Sequence, residues 1–338
     1  MRRLMVLLLL WASLSTAQVG DAAPVLYALG LDANGIANVL RLPEGTPITF
    51  AAVDVYYYDV TADGRALVYA ERAERGGPSD LVWVELATGI TRTLIACRAQ
   101  GIDCRRPAFS PDGRWLAYER HAPDPDNPAT LLPPEIWRYE WTSGAREFIA
   151  PGVQPTWANH DALVFVDLSD APRLGLWQAD ALRWFDLPGA FPWALRADGA
   201  ELMLIEPGVG LQRYSLPEMR AVDLPQQWRA EAGTQEMRFA WQPNQHSAVS
   251  ARSSVRTNET RLLWLGEEDT RLLWQGAGSI TGLAWDSSSQ QLAFEHLPPG
   301  AQRPELWSVD LDGQAAQRVA EMSWSPRWAA APEESQQG

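Results

Sequence analysis

The sequence contains no lysine, and all 28 of its basic residues are arginines. This absence excludes lysine-based catalysis, in which the side-chain amine acts as a nucleophile or a base. The 42 acidic residues outnumber the arginines and give the chain a formal net charge of −14. A negative field of this size repels nucleic acid and anionic lipid headgroups. We therefore expect no nucleic-acid partner.

Cysteine is also scarce, since Cys97 and Cys104 are the only two in the chain. Six residues separate them, so the CxxC spacing of redox motifs is missing. A structural metal site would need more ligands close by. Two neighbouring cysteines in an exported chain usually pair. The pattern therefore predicts a structural disulfide between Cys97 and Cys104, and neither a metal nor a cofactor.

Long apolar runs are missing as well, apart from one near the start of the chain. There Arg2 and Arg3 precede an apolar run from Leu4 to about Leu14, and small residues follow up to Ala17. This order is typical of a secretory signal peptide, and the run is shorter than the roughly 20 residues that span a bilayer. We expect the first 17 residues to be a signal peptide and the rest to be exported to the periplasm or the medium, without membrane insertion. An uncleaved membrane anchor is the alternative.

Tryptophan, proline and glycine are abundant in the remaining sequence. The chain has 17 Trp, 25 Pro and 25 Gly among its 338 residues, with a hydrophobic fraction of 46%. Such a composition excludes a disordered chain and favours many turns over long helices. The length is sufficient for one large all-β domain.

One hairpin pattern recurs along the chain, and FSPDGRWLAYE from Phe109 is its best-preserved copy. It reads as a strand, a Pro-Asp-Gly turn and a second strand. Equivalent positions follow one another at intervals of 38 to 49 residues, a period that fits a four-stranded propeller blade. These positions are Val60, Phe109, Trp157, Leu195, Trp241, Trp285 and Trp324.

Each unit continues with further apolar strands, and we label the four strands of a unit A to D. The segment after Val25 supplies strands B, C and D without an A strand, whereas MSWSPRW near the C-terminus supplies an A strand alone. We therefore predict an all-β fold: one seven-bladed β-propeller of four-stranded antiparallel blades over residues 24–328. The C-terminal strand A closes it onto the N-terminal strands B to D, which removes two exposed edges. Six or eight blades are the alternatives, and residues 329–338 are predicted to form a disordered tail.

The segments FSPDGRWLAYE and EIWRYEWTSG resemble the repeat of TolB-type propellers, a WD-repeat-like family. Relatives of that family include the propeller domains of prolyl-oligopeptidase-like enzymes. The resemblance covers nearly the whole chain after the first 17 residues, and it implies the propeller fold. TolB itself has an additional N-terminal domain, and we expect none here.

Catalytic motifs are missing from the sequence, which has no GxSxG, HExxH, GxGxxG or Walker segment. The four histidines fall in different units: His160 and His246 in A-to-B turns, and His121 and His296 after B strands. Because strands alternate in direction, the two pairs belong on opposite faces. We expect each histidine to be a solvated loop residue, and we assign no catalytic residue.

Two further repeated features are explained by structure alone. Tryptophans at equivalent positions, such as Trp157 and Trp241, are expected to fill the space between neighbouring sheets. The Asp-Gly turns, such as Asp112-Gly113, lack the alternating carboxylates of a calcium loop. Asp before Gly is favourable turn chemistry, so we interpret these segments as tight turns.

Loop lengths indicate where a ligand would bind. The B-to-C and D-to-A loops share one face of a propeller, which we call the long-loop face because it holds every long insertion of the sequence. Functional loops tend to gather on one side of a rigid scaffold. These insertions start at Glu71, Cys97, His121, Asp167, Pro225, Ala251 and Glu295.

Charged side chains are expected where the B strands reach this face. They define a candidate ligand-binding ring, although strands also become polar simply because they reach solvent. The candidate residues are Glu71, Arg120, His121, Asp167, Glu206, Arg252 and His296.

Two functions remain open at this point. The first is a non-enzymatic, monomeric, exported propeller that binds a protein or peptide partner on its long-loop face. The alternative is a propeller enzyme acting on polysaccharide, a glycoside hydrolase or lyase. A glycosidase needs two carboxylates at roughly 5 to 9.5 Å, and Asp167 and Glu206 are the first candidates for such a pair.

Overall fold

A computed structural model describes residues 23–127, 129–168, 173–186, 193–196, 198–206, 209–216, 218, 220–243, 245–311 and 316–332. Within these residues the chain forms 28 strands and two short 3₁₀ helices, Arg98–Gln100 and Gln226–Trp228. No helix in the described residues has the length and apolar character needed to cross a bilayer. The expected signal peptide lies outside the described residues, as do residues 333–338 of the expected tail.

The strands pair into seven four-stranded antiparallel sheets, which are the blades of a propeller numbered 1 to 7 along the chain. Blade 1 contains β1 (Val25–Leu31), β2 (Ala37–Leu42), β3 (Thr46–Pro47) and the last strand, β28 (Ser323–Ala329). Blades 2 to 4 contain β4 (Tyr58–Val60), β5 (Ala66–Arg72), β6 (Ser79–Glu85), β7 (Thr91–Ile95), β8 (Asp103–Phe109), β9 (Trp115–His121), β10 (Glu135–Glu140), β11 (Arg146–Pro151), β12 (Val153–Asn159), β13 (Ala162–Asp167), β14 (Arg173–Gln178) and β15 (Ala181–Phe185). Blades 5 to 7 contain β16 (Trp193–Leu195), β17 (Glu201–Glu206), β18 (Gly210–Ser215), β19 (Arg220–Val222), β20 (Thr234–Trp241), β21 (Ala248–Ser254), β22 (Glu259–Leu265), β23 (Thr270–Ala277), β24 (Ser279–Trp285), β25 (Gln291–Leu297), β26 (Glu305–Asp310) and β27 (Gln317–Ala320).

The two ends of the chain meet in blade 1. β28 pairs antiparallel with β1, so that Val25 lies opposite Ala329 and Leu29 opposite Trp324. A strands of neighbouring blades contact one another, as β4 does with β8 and with β28, and they form the inner ring of the propeller. The predicted seven-bladed propeller and its closure are confirmed, and the six- and eight-bladed alternatives are wrong.

The repeat alignment needs one correction, in the last A strand. The indole Nε1 of Trp157 donates to Ala108 O, one residue before Phe109 in the preceding blade. The indole Nε1 of Trp328 donates in the same way to Ala284 O, one residue before Trp285. Trp328, and not Trp324, therefore occupies the repeated position. The sequence alignment chose Trp324 because both tryptophans fit the aromatic pattern of a seven-residue strand.

The tight turns between A and B strands have the expected Asp-Gly chemistry. Gly113 has a φ of 69°, in the left-handed region that glycine enters without a steric penalty. Asp112 Oδ1 accepts the backbone N–H of Arg114 over 3.1 Å, which fixes the turn. The interpretation of these segments as turns is consistent with these contacts.

The hydrophobic core lies between the blades. Trp157 is only 8% exposed and packs with Phe165 of its own blade and Ile136 of the preceding blade. Burying apolar side chains between sheets is the main stabilising contribution in such a fold. The predicted inter-blade role of the tryptophans is thus confirmed at Trp157.

The fold also extends further towards the C-terminus than expected. Ala329 is the last residue of β28, and Ala330 N donates to Ala62 O in the first turn of blade 2. Ala331 packs against the apolar cluster between blades 1 and 2. Residues 329–331 therefore belong to the packed structure and not to a tail.

Candidate functional site

The antiparallel pairing places all B-to-C and D-to-A loops on one face, the long-loop face. The longest of these loops are residues 122–134 in blade 3, residues 223–233 before blade 6 and residues 48–57 before blade 2. The opposite face carries short turns, such as residues 86–90 in blade 2. Residues 169–172, in the loop after Asp167, lie outside the described residues.

Exposed apolar side chains are concentrated on the long-loop face. Twelve large apolar side chains are exposed in the described part of the chain, and eight of them lie in loops of this face. Ile90 lies in a turn of the opposite face, and the other three belong to outer D strands. The eight are Phe50, Tyr56, Leu131, Leu132, Leu168, Val209, Val255 and Met322.

The predicted ring residues share one position on their B strands. Each lies opposite one of the first three residues of the following C strand, at the long-loop end of its blade. This position explains why sequence spacing alone could find them. The residues are Glu71, Arg120, Asp167, Glu206, Arg252 and His296, and His121 follows Arg120.

Several of these side chains are held by local partners. Arg120 Nη1 lies 2.8 Å from Glu135 Oε2, the residue opposite it in the next strand. Asp167 Oδ2 accepts a hydrogen bond from Arg173 Nε over 2.9 Å, again directly across the strand pair. The B strands are the second strands of their blades, outside the inner ring. The structure thus places the six residues that share this position in six different blades, with His121 beside Arg120 in blade 3, and it ties Arg120 and Asp167 to their own blades.

The expectation that all four histidines are solvated loop residues is wrong for two of them, which are buried. His121 is 6% exposed and His296 is 7% exposed, whereas His160 and His246 are exposed as expected. Arg105 can only donate a hydrogen bond, so its contact of 3.0 Å with Nδ1 of His121 leaves the proton on Nε2. Nε2 in turn lies 2.8 Å from Glu119 Oε2. His121 and His296 both belong to B strands, and their side chains are buried in the fold.

Glu119 is a buried carboxylate that the sequence did not reveal. It is 1% exposed, and its Oε1 accepts the backbone N–H of Gln154 in the next blade over 2.7 Å. Glu295 has the equivalent role in blade 7, where its Oε1 accepts Ser325 N–H over 2.6 Å. In each blade the glutamate carboxylate accepts a hydrogen bond from a backbone N–H group that a bulge in the A strand leaves without a partner in the sheet.

A short motif in the A strands marks these bulges. Gln154 and Ser325 have φ values of 58° and 54°, and each is followed by proline and, two residues later, by tryptophan. Arg106 has a φ of 50° and precedes Pro107 in the same pattern. The pattern Xaa-Pro-Xaa-aromatic is visible in the sequence. Its first residue, Gln154 or Ser325, carries the backbone N–H group that donates to the glutamate. The glutamate acceptor is 30 or more residues away, so no local pattern identifies it.

A central cavity of about 900 Å³ is lined by A-strand residues of all seven blades. Asp59 is the one carboxylate in its described lining, and Arg327 Nε lies 3.4 Å from Asp59 Oδ1. Burial raises the pKa of Asp59, and the charge of Arg327 opposes this shift. The carboxylate pair that a glycosidase requires is not found in this lining, and neither Asp167 nor Glu206 contributes to it.

The two cysteines form the predicted disulfide. Their Cα atoms are 6.1 Å apart, and the bond closes the D-to-A loop between blades 2 and 3 on the long-loop face. Both residues are buried, with Cys104 fully enclosed. In the part of the chain that the structure describes, no group of three His, Cys, Asp or Glu side chains is arranged to hold a metal ion.

Comparison with solved structures supports the fold. TolB from Acinetobacter baumannii aligns with 92% of this chain and 67% of its own, at 14% identity and a TM-score of 0.53. A puromycin-hydrolyzing peptidase from Mycobacterium tuberculosis aligns with 90% of this chain and 52% of its own, at 16% identity and a TM-score of 0.65. Prolyl oligopeptidase B from Galerina marginata aligns with 90% of this chain and 51% of its own, at 11% identity and a TM-score of 0.61.

These similarities define a class of fold and nothing narrower. At such low identities they show only a shared β-propeller fold, and this chain spans about half the length of the two peptidase chains. No protein-family model and no curated protein matches the sequence. The resemblance to TolB-type propellers is therefore confirmed at the level of fold.

Proposed function

We propose that this chain is an exported, non-enzymatic β-propeller that binds a protein or peptide partner on its long-loop face. The observation that carries the proposal is the distribution of exposed apolar side chains, eight of which lie in the loops of that face. Single exposed apolar residues are ordinary on a protein surface. Their concentration on one face of a rigid ring is typical of an interaction surface.

The longest of these loops, which carries Leu131 and Leu132, is anchored in the fold. Leu131 takes part in a β-bridge to Pro123, which folds the longest loop back on itself. Leu132 N donates to Ala122 O over 2.9 Å at the base of the same loop. A loop that is already ordered loses less conformational entropy on binding, so such loops favour a specific partner.

Export is supported by two independent features. The first 17 residues have the composition of a signal peptide. The Cys97–Cys104 disulfide is consistent with an oxidising compartment, where such bonds persist. We therefore propose that the protein resides in the periplasm or outside the cell, where its partner is also expected.

Site-specific photo-crosslinking tests the proposal. A photo-reactive residue is introduced at Phe50 or Leu131 on the long-loop face, and at Ile90 or Leu272 elsewhere as matched exposed positions. We expect one adduct of defined mass from envelope extract or culture fluid at the first two positions, and none at the other two. The double variant Phe50→Ser, Leu131→Ser should then weaken binding of the isolated partner by about 2 kcal/mol or more, roughly thirtyfold.

The control for this loss is the double variant Ile90→Ser, Leu272→Ser, which removes the same kind of side chain from other surfaces. It should bind the partner as the unaltered protein does. Equal crosslinking at all four positions, or an equal loss of affinity in both double variants, would contradict a binding role for the long-loop face.

A further inference from the structure

A polar groove opens at the long-loop end of blade 6. It has a volume of about 860 Å³, and its walls are the connection before β20, the end of β21, and parts of β22 and β23. That connection is anchored by Trp228, which is 1% exposed and donates from Nε1 to Gly266 O over 2.7 Å. One wall of the groove is therefore fixed to the body of the blade.

Positive charge predominates in this groove. Its charged lining residues are four arginines and two glutamates: Arg229, Arg252, Arg256, Arg261, Glu231 and Glu259. Arg229 and Arg256 are exposed and make no ion pair with a described residue. Arg261 lies 3.9 Å from Glu231 and 3.6 Å from Glu259 with its side chain 45% exposed, and such pairs are weak. The groove thus has an excess of positive charge in a chain whose net charge is −14.

Arg252 is the fixed member of the four. It is 6% exposed, its Nε donates to Glu236 Oε1 over 2.7 Å, and its Nη2 donates to Trp228 O. Its Nη1 has no hydrogen-bond partner among the described residues, although Arg252 lines the groove. A guanidinium that is held by two contacts and retains a free N–H edge is preorganised for a carboxylate.

We propose that this groove binds an acidic segment of the protein partner, with carboxylates of that segment paired to Arg229, Arg252 and Arg256. The proposal rests on the protein-binding function proposed above and specifies the chemistry of the partner. Val255, which is 65% exposed, lies between two lining residues and supplies an apolar contact at the rim of the groove. The expected segment therefore combines acidic and apolar residues.

The lining of the groove favours a peptide over other anions. No aromatic residue contributes to the described lining, so a sugar ring finds no stacking surface there. A nucleic acid extends beyond the groove and meets the repulsion of the net negative charge. A short acidic peptide places its carboxylates within the groove, where charge-assisted hydrogen bonds are strongest.

Fluorescence anisotropy with defined probes tests this assignment. The probe is a fluorescein-labelled peptide of eight residues that alternates glutamate and leucine, and the comparison probes are the glutamine-leucine peptide and labelled oligogalacturonate. We expect the acidic peptide to bind at least tenfold more tightly than either comparison probe. The double variant Arg229→Gln, Arg256→Gln should lose at least tenfold in affinity for it, and the loss should shrink at high salt.

A matched control separates the groove from the overall charge. The variant Arg65→Gln, Arg220→Gln removes two exposed arginines outside the groove and should keep the full affinity. Equal affinity for the neutral peptide, tighter binding of oligogalacturonate, no measurable binding of the acidic peptide, or an equal loss in the control variant would each overturn the proposal. If the groove variant still crosslinks its partner through Phe50 with unchanged affinity, the groove assignment fails while the proposed function stands.

Discussion

Asp59 is a partly buried carboxyl that joins three blades at the inner ring. It belongs to blade 2, accepts the backbone N–H of Phe109 in blade 3 over 2.8 Å, and lies 3.4 Å from Arg327 in blade 1. Burial raises its pKa above the ordinary value of 3.8, although Arg327 and the backbone donors oppose the shift. The folded state therefore binds a proton at Asp59 more tightly than the unfolded state does.

The raised pKa predicts how the contribution of Asp59 to the free energy of unfolding changes with pH. The contribution of Asp59 to the free energy of unfolding is fully present below pH 3.8 and is lost as the pH rises through the pKa of the folded state. Asparagine does not titrate, so the stability of Asp59→Asn relative to the unaltered protein should rise from about pH 3 to pH 7. Urea denaturation at a series of pH values measures this difference.

Asp198 provides a control of the opposite sign. A hydrogen bond from Arg196 lowers the pKa of Asp198, so its contribution is present above pH 3.8 and is lost as the pH falls. The relative stability of Asp198→Asn should therefore fall, by a small amount, over the same rise in pH. The same direction of change for both variants would contradict the assignment of the two shifts.

At the scale of single elements, the disulfide loop between blades 2 and 3 is held in place by two kinds of bond. The disulfide joins residues that are seven positions apart. Asp80 in β6 accepts hydrogen bonds from the backbone N–H groups of two loop residues, Cys97 and Arg98, over 2.6 and 2.7 Å. The loop is thus fixed by covalent and by hydrogen bonds. The arrangement gives the long-loop face one segment that is tied down at both ends.

Reduction of this disulfide should weaken the fold by a predictable amount. Closing so small a loop stabilises the protein by about 2.5 kcal/mol on the chain-entropy model. The free energy of unfolding of the unaltered protein should fall by about this amount when reductant is added, as measured by chemical denaturation. The variant Cys97→Ala, Cys104→Ala serves as control and should not respond to reductant. Identical curves with and without reductant would contradict the prediction.

The elements that sequence could predict are those with short-range signals. Alternating apolar residues and Asp-Gly turns located the blades, and the proximity of Cys97 and Cys104 indicated their bond. The alignment assigned the repeated position to Trp324 because both Trp324 and Trp328 fit an aromatic strand position, and the hydrogen bond to Ala284 O assigns that position to Trp328. The arginine groove could not be predicted, because its charged residues come from four segments that only the fold of blade 6 brings together.

At the scale of the whole molecule, stability depends on closure of the ring. β28 supplies the inner strand of blade 1, and the hydroxyl of Tyr58 in blade 2 lies within hydrogen-bond distance of both Tyr27 O and Ser325 O, at 2.9 and 2.6 Å. A hydroxyl that bridges two strands of blade 1 to the next blade couples the pairing of β1 with β28 to the rest of the ring. Loss of β28 exposes the edge of β1 and removes Ser325 O as a partner of the Tyr58 hydroxyl.

Truncation tests this dependence. A chain that ends at Met322 lacks β28 and should aggregate or unfold without a cooperative transition, because it has an open edge between blades 7 and 2. A chain that ends at Pro332 keeps the whole strand and should unfold as the full chain does. Circular dichroism and size-exclusion chromatography distinguish the two outcomes, and a cooperative monomer from the shorter chain would contradict the role of closure.

During synthesis the ring can close only after β28 has been made. β1, with the apolar sequence VLYALGL, is synthesised about 290 residues before its partner β28. At a synthesis rate of about 5 to 20 residues per second, the edge of β1 waits unpaired for roughly 15 to 60 s. The edge of β1 is therefore exposed to pairing with other chains until β28 has been made and the ring can close.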